Sequence, residues 1–300
     1  MSDELIVHER PELRSPILVA AFRGWNDGGQ AASLAAGYLA KLWNAQQFAE
    51  IDPEGFFDFQ VTRPHVSLVD GVTRKVEWPE TAFRHASLPG LDRDAVLLTG
   101  NEPNVRWKAF TRLIVELVEE LRVELVVTLG SLLADVPHTR PAPVTGSASD
   151  ADLVERLGLE TSRYEGPTGI VGVLHDACRK AGIASASLWA AVPHYVSLAP
   201  SPRAAQALCD RLGNLLAVDI DTEELRQAGE AYAEQVSAAV ASDEETQAYV
   251  EELEQRTDEI PDEGQLPSGD ALAAELTRFL RDRERGDGTP PPGPPGPRGP

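Results

Sequence analysis

The stretch Ile17–Gln30, ILVAAFRGWNDGGQ, decides the fold class of this chain. Its first six residues, Ile17–Phe22, form a continuous apolar run of the kind found in a strand that is covered on both faces. The glycines that follow allow a tight turn, and the small residues of Ala31–Leu42 predict a helix. A buried strand that turns directly into a helix begins a βα unit, so the sequence predicts an α/β fold.

The same alternation of apolar runs and helical patterns recurs further along the chain. Three more runs predict buried strands: Ala95–Thr99, Leu125–Leu129 and Ser187–Val192. Three more stretches predict amphipathic helices: Val105–Leu121, Thr168–Ala181 and Pro202–Leu216. Segment 52–90 predicts irregular strands and loops inserted after the first helix.

The chain changes character near residues 218–222. The net charge is −21, and the last 80 of the 300 residues carry −13 of it. Those residues predict two acidic amphipathic helices, Thr222–Ala241 and Asp243–Asp258. A third amphipathic helix, Ser268–Arg285, has basic residues in its last turns and is followed by a Pro/Gly-rich tail. We therefore expect an α/β core domain (1–220), an acidic helical appendage (221–285) and a disordered tail (286–300). The charge of the appendage favours its exposure to solvent.

The composition excludes several classes of protein. A pI near 4.6 argues against nucleic-acid binding and against a helix on an anionic membrane, because both need a basic face. No apolar run reaches the 18 residues of a membrane span, and the acidic N-terminus lacks the pattern of a signal peptide. Cys178 and Cys209 lie far apart and form no CxxC motif, so a disulfide framework or a zinc site is not expected. We expect a cytoplasmic protein with no metal, no cofactor, no nucleic-acid partner and no membrane contact.

Polar residues cluster in five segments that each follow a predicted strand or precede a predicted helix. If the strands are parallel, these segments meet at one edge of the sheet, where open α/β folds bind ligands. The residues that we single out as a candidate cleft or interface are Asn26, Asp27, Asn101, Glu102, Asp135, His138, Arg140, Glu165, Thr168 and His194. No nucleophile motif accompanies them, so catalytic residues are unknown.

Each candidate also has a simpler structural explanation. Asn26 or Asp27 could cap the helix after the glycine-rich turn, and Thr168 could cap the helix that follows it. Asp135, His138 and Arg140 fit acid–base work or oxyanion binding, but they equally fit a loop held by prolines. Glu165 could bind a hydroxyl or amine, or pair with an arginine. A single histidine at a strand end, such as His194, is most often structural.

Five blocks of the sequence together resemble the proteasome assembly chaperone 2 family, in its actinobacterial form. They are RGWNDGGQAAS, GNEPNVRW, LGSLLADVPHTRP, YEGPTGIVGVLHDAC and SLWAAVPHYVS, within Pro16–Leu216, and 266–281 is also similar. The resemblance implies a three-layer α/β core of the phosphorylase/hydrolase-like type. It also implies action by protein binding, with proteasome subunits as partners. Several members dock on proteasome α-rings through a hydrophobic–Tyr–any-residue tail, whereas this sequence ends Pro297–Pro300, which argues against docking by that route.

Three functional hypotheses follow. The first is a non-enzymatic protein-binding factor that resembles proteasome assembly chaperones. The second is a small-molecule enzyme or binder, for nucleoside- or phosphate-like ligands, that uses a phosphorylase-like cleft. The third is a structural subunit whose polar loops lie in a homo-oligomeric interface, with a trimer favoured because phosphorylase-like folds often form trimers or hexamers.

Overall fold

A computed structural model describes residues 4–88, 90–148, 151–159 and 164–259. Its central element is an eight-stranded sheet. In chain order its strands are β1 (Leu5–Val7), β2 (Ile17–Arg23), β3 (Gln46–Ile51), β6 (Thr81–Ser87), β7 (Asp94–Asn101), β8 (Leu125–Ala134), β9 (Val144–Ala148) and β10 (Ser185–Pro193). Two further strands, β4 (His65–Val69) and β5 (Thr73–Glu77), form a separate hairpin.

The strand order across the large sheet is β1-β3-β6-β7-β2-β8-β10-β9. The four inner strands β7, β2, β8 and β10 are parallel, and they are the four strands that the apolar runs predict. The flanking strands pair antiparallel. Three of them, β1, β3 and β9, fall outside every predicted run, because none of the three is a continuous apolar run of the kind found in the inner strands.

Seven α-helices accompany the strands among the described residues. They are α1 (Ala31–Leu42), α2 (Trp107–Glu120), α3 (Ala151–Leu157), α4 (Ile170–Ala181), α5 (Pro202–Leu216), α6 (Glu223–Val240) and α7 (Glu244–Asp258). The predicted helix Ser268–Arg285 and the tail 286–300 lie outside the described residues.

Helices cover both faces of the sheet, so the predicted three-layer α/β core is confirmed. The side chains of β2 alternate between the two faces, with Ile17 and Val19 on one and Leu18 and Ala20 on the other. Helices α1 and α5 cover the first face, and α2 and α4 cover the second. Consequently the loop after β2 and the loop after β7 leave the sheet toward opposite faces.

The acidic helices α6 and α7 fold back on the core. The −13 charge of the C-terminal 80 residues favours their exposure, but each helix has one apolar face that needs cover. Helix α6 packs against α5 and buries Leu225, Tyr232 and Val236, and α7 buries Val250 and Leu253. The sequence leaves open whether these helices fold back or project; in the structure the burial of their apolar faces outweighs the charge on the opposite side.

The β4–β5 hairpin lies outside the main sheet. At its base the rings of Phe59 and Trp78 pack edge-to-face, with their centroids 4.8 Å apart. Its register pairs Val66 with Val76 and Leu68 with Arg74. Val66, Leu68 and Val76 thus share one face of the ribbon, here called the hairpin face. Their side chains are 60, 62 and 47% exposed, which leaves this apolar face in solvent.

Candidate functional site at the carboxyl edge of the sheet

The ten candidate residues divide into separate environments. Asn26, Asp27, Asn101 and Glu102 lie at the carboxyl ends of β2 and β7, here called the β2–β7 group. A second set follows β8 and β10 and is here called the helix-covered group: Asp135, His138, Arg140 and His194. His138, Arg140 and His194 contact α6 or α7, and Asp135 pairs with His194. Glu165 and Thr168 are exposed in the segment before α4.

Glu102 holds two separate chain segments together. Its Oε2 accepts a hydrogen bond from the backbone N–H of Trp25 (3.1 Å), and its Oε1 accepts one from the N–H of Ile170 (2.7 Å). Ile170 is the first residue of α4, so a carboxylate from the β7 loop occupies the positive end of that helix. Thr168 does not occupy the cap of α4: the N-cap position is Gly169, and the hydroxyl of Thr168 donates to the carbonyl of Gly169 (3.5 Å).

Asp27 caps the first helix. Its Oδ1 accepts hydrogen bonds from the N–H groups of Ala32 (2.9 Å) and Ser33 (3.1 Å), which belong to the first turn of α1. Asp27 thus satisfies these N–H groups from outside the N-cap position, which Gln30 occupies. Burial raises the pKa of this carboxyl, and its hydrogen bonds oppose that rise.

Asn26 lies against Gly169. A Cβ on Gly169 would overlap the Oδ1 of Asn26 and would lie 2.7 Å from the Oε1 of Glu102, so only glycine fits between these two side chains. Asn26 is 5% exposed, and its Oδ1 has no hydrogen-bond partner among the described residues. The close approach makes Gly169 part of the site, although it was not a candidate.

A groove of about 490 Å³ opens beside the β2–β7 group, here called the strand-end groove. Its polar lining consists of Arg23, Asn101, Glu102, Thr62 and Asn104, and its apolar lining of Val61, Pro103 and Trp107. Asn104 fixes one wall, because its Oδ1 accepts hydrogen bonds from the N–H of Asp58 (2.8 Å) and the hydroxyl of Thr62 (3.1 Å).

In the helix-covered group, His138 joins the core to α6. Its Nδ1 lies 2.8 Å from the hydroxyl of Tyr195, and its Nε2 lies 2.9 Å from the hydroxyl of Ser237 on α6. The guanidinium of Arg203 donates to the carbonyl of His138 (3.0 Å). Burial, together with the charge of Arg203, lowers the pKa of His138. The imidazole of His138 is neutral, and the residue is 4% exposed. Because both ring nitrogens lie within hydrogen-bond distance of a hydroxyl, we interpret its role as structural.

Arg140 and Thr139 join the same loop to α7. The guanidinium of Arg140 donates to both carboxylate oxygens of Asp258 (2.8 and 2.7 Å), and Thr139 donates to Glu254. This pairing lowers the pKa of Asp258. The arginine that could have held an oxyanion therefore holds the end of α7.

Asp135 and His194 form a pair in which the Nδ1 of His194 lies 2.9 Å from a carboxylate oxygen of Asp135. The imidazole of His194 also packs edge-on against the rings of Tyr195 and Tyr249, at centroid distances of 5.8 and 5.7 Å. Tyr249 belongs to α7, so this histidine too contacts the helical cover.

Neither cysteine is placed for nucleophilic chemistry. Burial raises the pKa of Cys178 to about 11 and that of Cys209 to about 12, which keeps both thiols protonated at neutral pH. Within the described ranges, no cluster of three or more His, Cys, Asp or Glu side chains could hold a metal ion. Among those same residues no helix is long and apolar enough to cross a membrane.

The partners of the helix-covered group could not be found from sequence alone. Tyr195 and Ser237 lie 57 and 99 residues from His138, and no spacing pattern connects them. Gly169 did carry a signal, since it follows a Gly-Pro pair before a helix, but the signal indicated a turn and not a contact with Asn26.

Fold and site together define a class: a three-layer α/β protein in which a pair of acidic helices covers half of the strand-end loops, while a groove and an apolar hairpin stay open. Comparison with known proteins gives the family. The model of the PAC2 family matches residues 21–240, and the chain belongs to that family. The resemblance drawn from the five sequence blocks is thus confirmed.

Two solved structures at nearly half identity cover the same part of the chain. A PAC2 family protein from Streptomyces avermitilis is 46% identical, with 78% of this chain and 99% of that chain covered and a TM-score of 0.72. A proteasome-assembly chaperone homologue from Mycobacterium tuberculosis is 47% identical, with the same coverage and a TM-score of 0.71. These likenesses support a chaperone-like role.

A likeness at lower identity concerns the fold alone. An archaeal proteasome activator from Pyrococcus furiosus is 21% identical, with 78% of this chain and 97% of that chain covered and a TM-score of 0.64. No curated protein matches the chain.

Proposed function

We propose that this protein is a non-enzymatic, cytoplasmic binding factor of the chaperone type that associates with proteasome α subunits. Membership of the PAC2 family supports the proposal, as does the name of one similar structure at 47% identity, a proteasome-assembly chaperone homologue. The helix-covered group adds to this support, because its acid–base residues are engaged in joining the core to α6 and α7.

The observation that carries the proposal is the hairpin face. A two-stranded ribbon is marginally stable by itself, and an apolar face exposed on such a ribbon is typical of a protein-binding surface. Val72 at its turn is 83% exposed and extends the same apolar surface.

Charge also favours the hairpin as the contact. Arg63, Arg74 and Lys75 outnumber Asp70 and Glu77 between residues 63 and 77, whereas the whole chain has a net charge of −21. The segment is thus a locally basic region with an apolar face, and we propose that it binds an acidic, partly apolar surface of an α subunit.

The test is the affinity of the full chain for purified proteasome α subunits of the same organism, measured by biolayer interferometry. The double variant Val66→Ser, Leu68→Ser removes two exposed apolar side chains and should weaken binding about tenfold or more, since each is worth ~1 kcal/mol when buried at an interface. The matched control is Val105→Ser, Leu198→Ser, which alters two residues of similar exposure outside the hairpin.

Two results would go against the proposal. If the wild-type chain does not bind α subunits at micromolar concentrations, the proteasome association is wrong. If wild type binds and both double variants bind equally well, the association stands but the hairpin is not the contact.

We also propose that the chain self-associates, with a trimer as the favoured state. Trp25, 46% exposed beside the loop held by Glu102, is a large apolar side chain suited to a contact between subunits. Sedimentation velocity at micromolar concentration should give the mass of a trimer that Trp25→Ser weakens, and a monomer would contradict the proposal.

A further inference from the structure

The strand-end groove lies where the topology of the sheet favours a ligand site. Strands β2 and β7 are neighbours, but α1 and α2, which follow them, cover opposite faces of the sheet. A crevice opens between two such strands at their carboxyl ends, and α/β proteins bind small molecules in crevices of this kind. Arg23 and Asn101 are the last register pair of these two strands, and both line the groove.

The groove carries two opposite charges that have no ionic partner within the described part of the chain. No carboxylate lies within ion-pair distance of the exposed guanidinium of Arg23 there, and no cation lies within that distance of Glu102. The two side chains start from adjacent positions, since the N–H of Glu102 donates to the carbonyl of Arg23 (2.7 Å). Each oxygen of Glu102 accepts one backbone N–H and keeps a lone pair for a further donor.

The neighbouring arginine is not available for a ligand. Arg106 is 2.5 Å from a carboxylate oxygen of Glu4 and stacks over the ring of Phe56, with its guanidinium carbon 5.0 Å from the ring centroid. Arg23 is therefore the groove's cation. Beyond the charged end the lining is mixed: Val61, Pro103 and Trp107 are apolar, while the polar Thr62 and Asn104 are hydrogen-bonded to each other.

We propose that this groove binds a small zwitterion with an apolar portion, of the α-amino-acid class. Its carboxylate pairs with the guanidinium of Arg23, and its ammonium donates to Glu102 and to the side-chain oxygen of Asn101. Its apolar side chain lies against Val61, Pro103 and Trp107. This site is independent of the hairpin face and of any proteasome contact.

The conformation of the loop supports a built site. Gly24 has a φ of +143°, which side-chain-bearing residues rarely adopt, and a Cβ there would lie 2.8 Å from the Cβ of Glu102. The backbone at Gly24 therefore passes directly over Glu102, which fixes this carboxylate next to Arg23.

The test is isothermal titration calorimetry of the full chain with leucine and phenylalanine as probes. Two molecules of matched shape serve as ligand controls: isoamylamine, which lacks the carboxylate of leucine, and 4-methylpentanoate, which lacks its ammonium group. We expect leucine or phenylalanine to bind and both controls to bind at least about tenfold more weakly, because each loses one charge-assisted contact.

The protein variants are Arg23→Gln, which should weaken binding of the amino acid about tenfold or more, and Asn101→Ala, which should weaken it less. The matched control is Arg156→Gln, which should leave affinity unchanged. Arg156 is an exposed arginine on α3, and α3 contacts the edge strand β9, away from β2 and β7. Circular dichroism shows whether each variant is folded. The proposal is overturned if neither amino acid binds at ten-millimolar concentration, if isoamylamine binds as well as leucine, or if Arg23→Gln retains full affinity.

Discussion

At the scale of single residues, the carboxyl edge of the sheet is organised by side chains that bond to backbone groups of other segments. Glu102 bonds to the N–H groups of Trp25 and Ile170, and Asp27 bonds to those of Ala32 and Ser33. A carboxylate that satisfies free N–H groups at the start of a helix stabilises both the helix and the loop from which it comes.

His175 shows the same use of a polar side chain inside the fold. Its Nε2 lies 2.9 Å from the hydroxyl of Thr128 on β8, and its Nδ1 lies 3.0 Å from that of Ser185 on β10. Both hydroxyls are fully buried. Burial lowers the pKa of His175 from 6.5 to about 4, so the imidazole is neutral in the folded protein.

We predict that this histidine makes the protein less stable in acid. Its pKa in the fold lies below its value in the unfolded chain, so the unfolded chain binds a proton first as the pH falls. The stability is fully present above about pH 6.5 and is lost between that pH and about 4, by an amount on the order of 3 kcal/mol.

Urea denaturation at a series of pH values measures this loss. His175→Gln keeps a hydrogen-bonding side chain without the titration, so its free energy of unfolding should fall less across the same window. His65→Gln, an exposed histidine on the hairpin, serves as the control and should follow wild type. Equal losses in all three proteins would show that another group causes the acid sensitivity.

At the scale of elements, the start of α4 depends on the absence of one side chain. Gly169 has an extended backbone, with φ −95° and ψ −170°, so the requirement for glycine is steric and not conformational. Asn26 and Glu102 occupy the space where a Cβ would be.

We predict that Gly169→Ala lowers the free energy of unfolding by about 1–3 kcal/mol, the usual cost of overpacking a filled site. Gly37→Ala is the matched control, because a Cβ at this exposed position in α1 meets nothing within 4 Å. That control should raise stability by about 0.5–1 kcal/mol, since alanine favours a helix. Both values come from urea denaturation, and a neutral Gly169→Ala would contradict the packing described for Asn26 and Glu102.

The acidic helices provide the second element-scale prediction. His138 is bonded on both ring nitrogens and reaches Ser237 on α6, whereas Arg140 reaches Asp258 at the exposed end of α7. A buried hydrogen bond contributes more free energy to stability than an exposed ion pair does. We therefore predict that His138→Ala weakens the packing of α6 and α7 on the core more than Arg140→Ala does.

Hydrogen–deuterium exchange measures that release directly. In His138→Ala the amides of α6 and α7 should exchange about tenfold faster or more, which corresponds to a loss of ~1–3 kcal/mol, while those of α2 keep their rates. In Arg140→Ala the change should be small. Uniform acceleration over the whole chain would show that His138 supports global stability and not the docking of these helices.

At the scale of the whole molecule, the sequence predicts the centre of the fold better than its margins. The inner strands are continuous apolar runs with a single interpretation, while β3 reads QQFAEI and carries polar residues at half of its positions. β3 lies between β1 and β6 in the antiparallel part of the sheet, where a strand needs only one apolar face, so its pattern is short and ambiguous.

The sequence predicts that the candidate residues lie at the carboxyl edge of the sheet. It does not predict their separation into the β2–β7 group and the helix-covered group. Parallel strands bring Asn26, Asn101 and Asp135 to one edge, and that follows from local patterns. Which of those residues the acidic helices cover depends on contacts such as His138 with Ser237, across 99 residues of chain. Such contacts depend on tertiary packing, which local patterns do not encode.

The molecule as a whole thus has a closed half, where α6 and α7 cover the loops after β8 and β10, and an open half with the strand-end groove. The apolar hairpin face also stays open. The central claim is that the hairpin face binds a proteasome α subunit.

Photo-crosslinking tests that claim most directly. Leu68→p-benzoylphenylalanine places a crosslinker on the hairpin face, and Glu251→p-benzoylphenylalanine places one on an exposed position of α7. After mixing the full chain with purified α subunits and irradiation, we predict an α-subunit adduct from position 68 and none from position 251. No adduct from position 68, under conditions where position 251 gives one, would contradict the account.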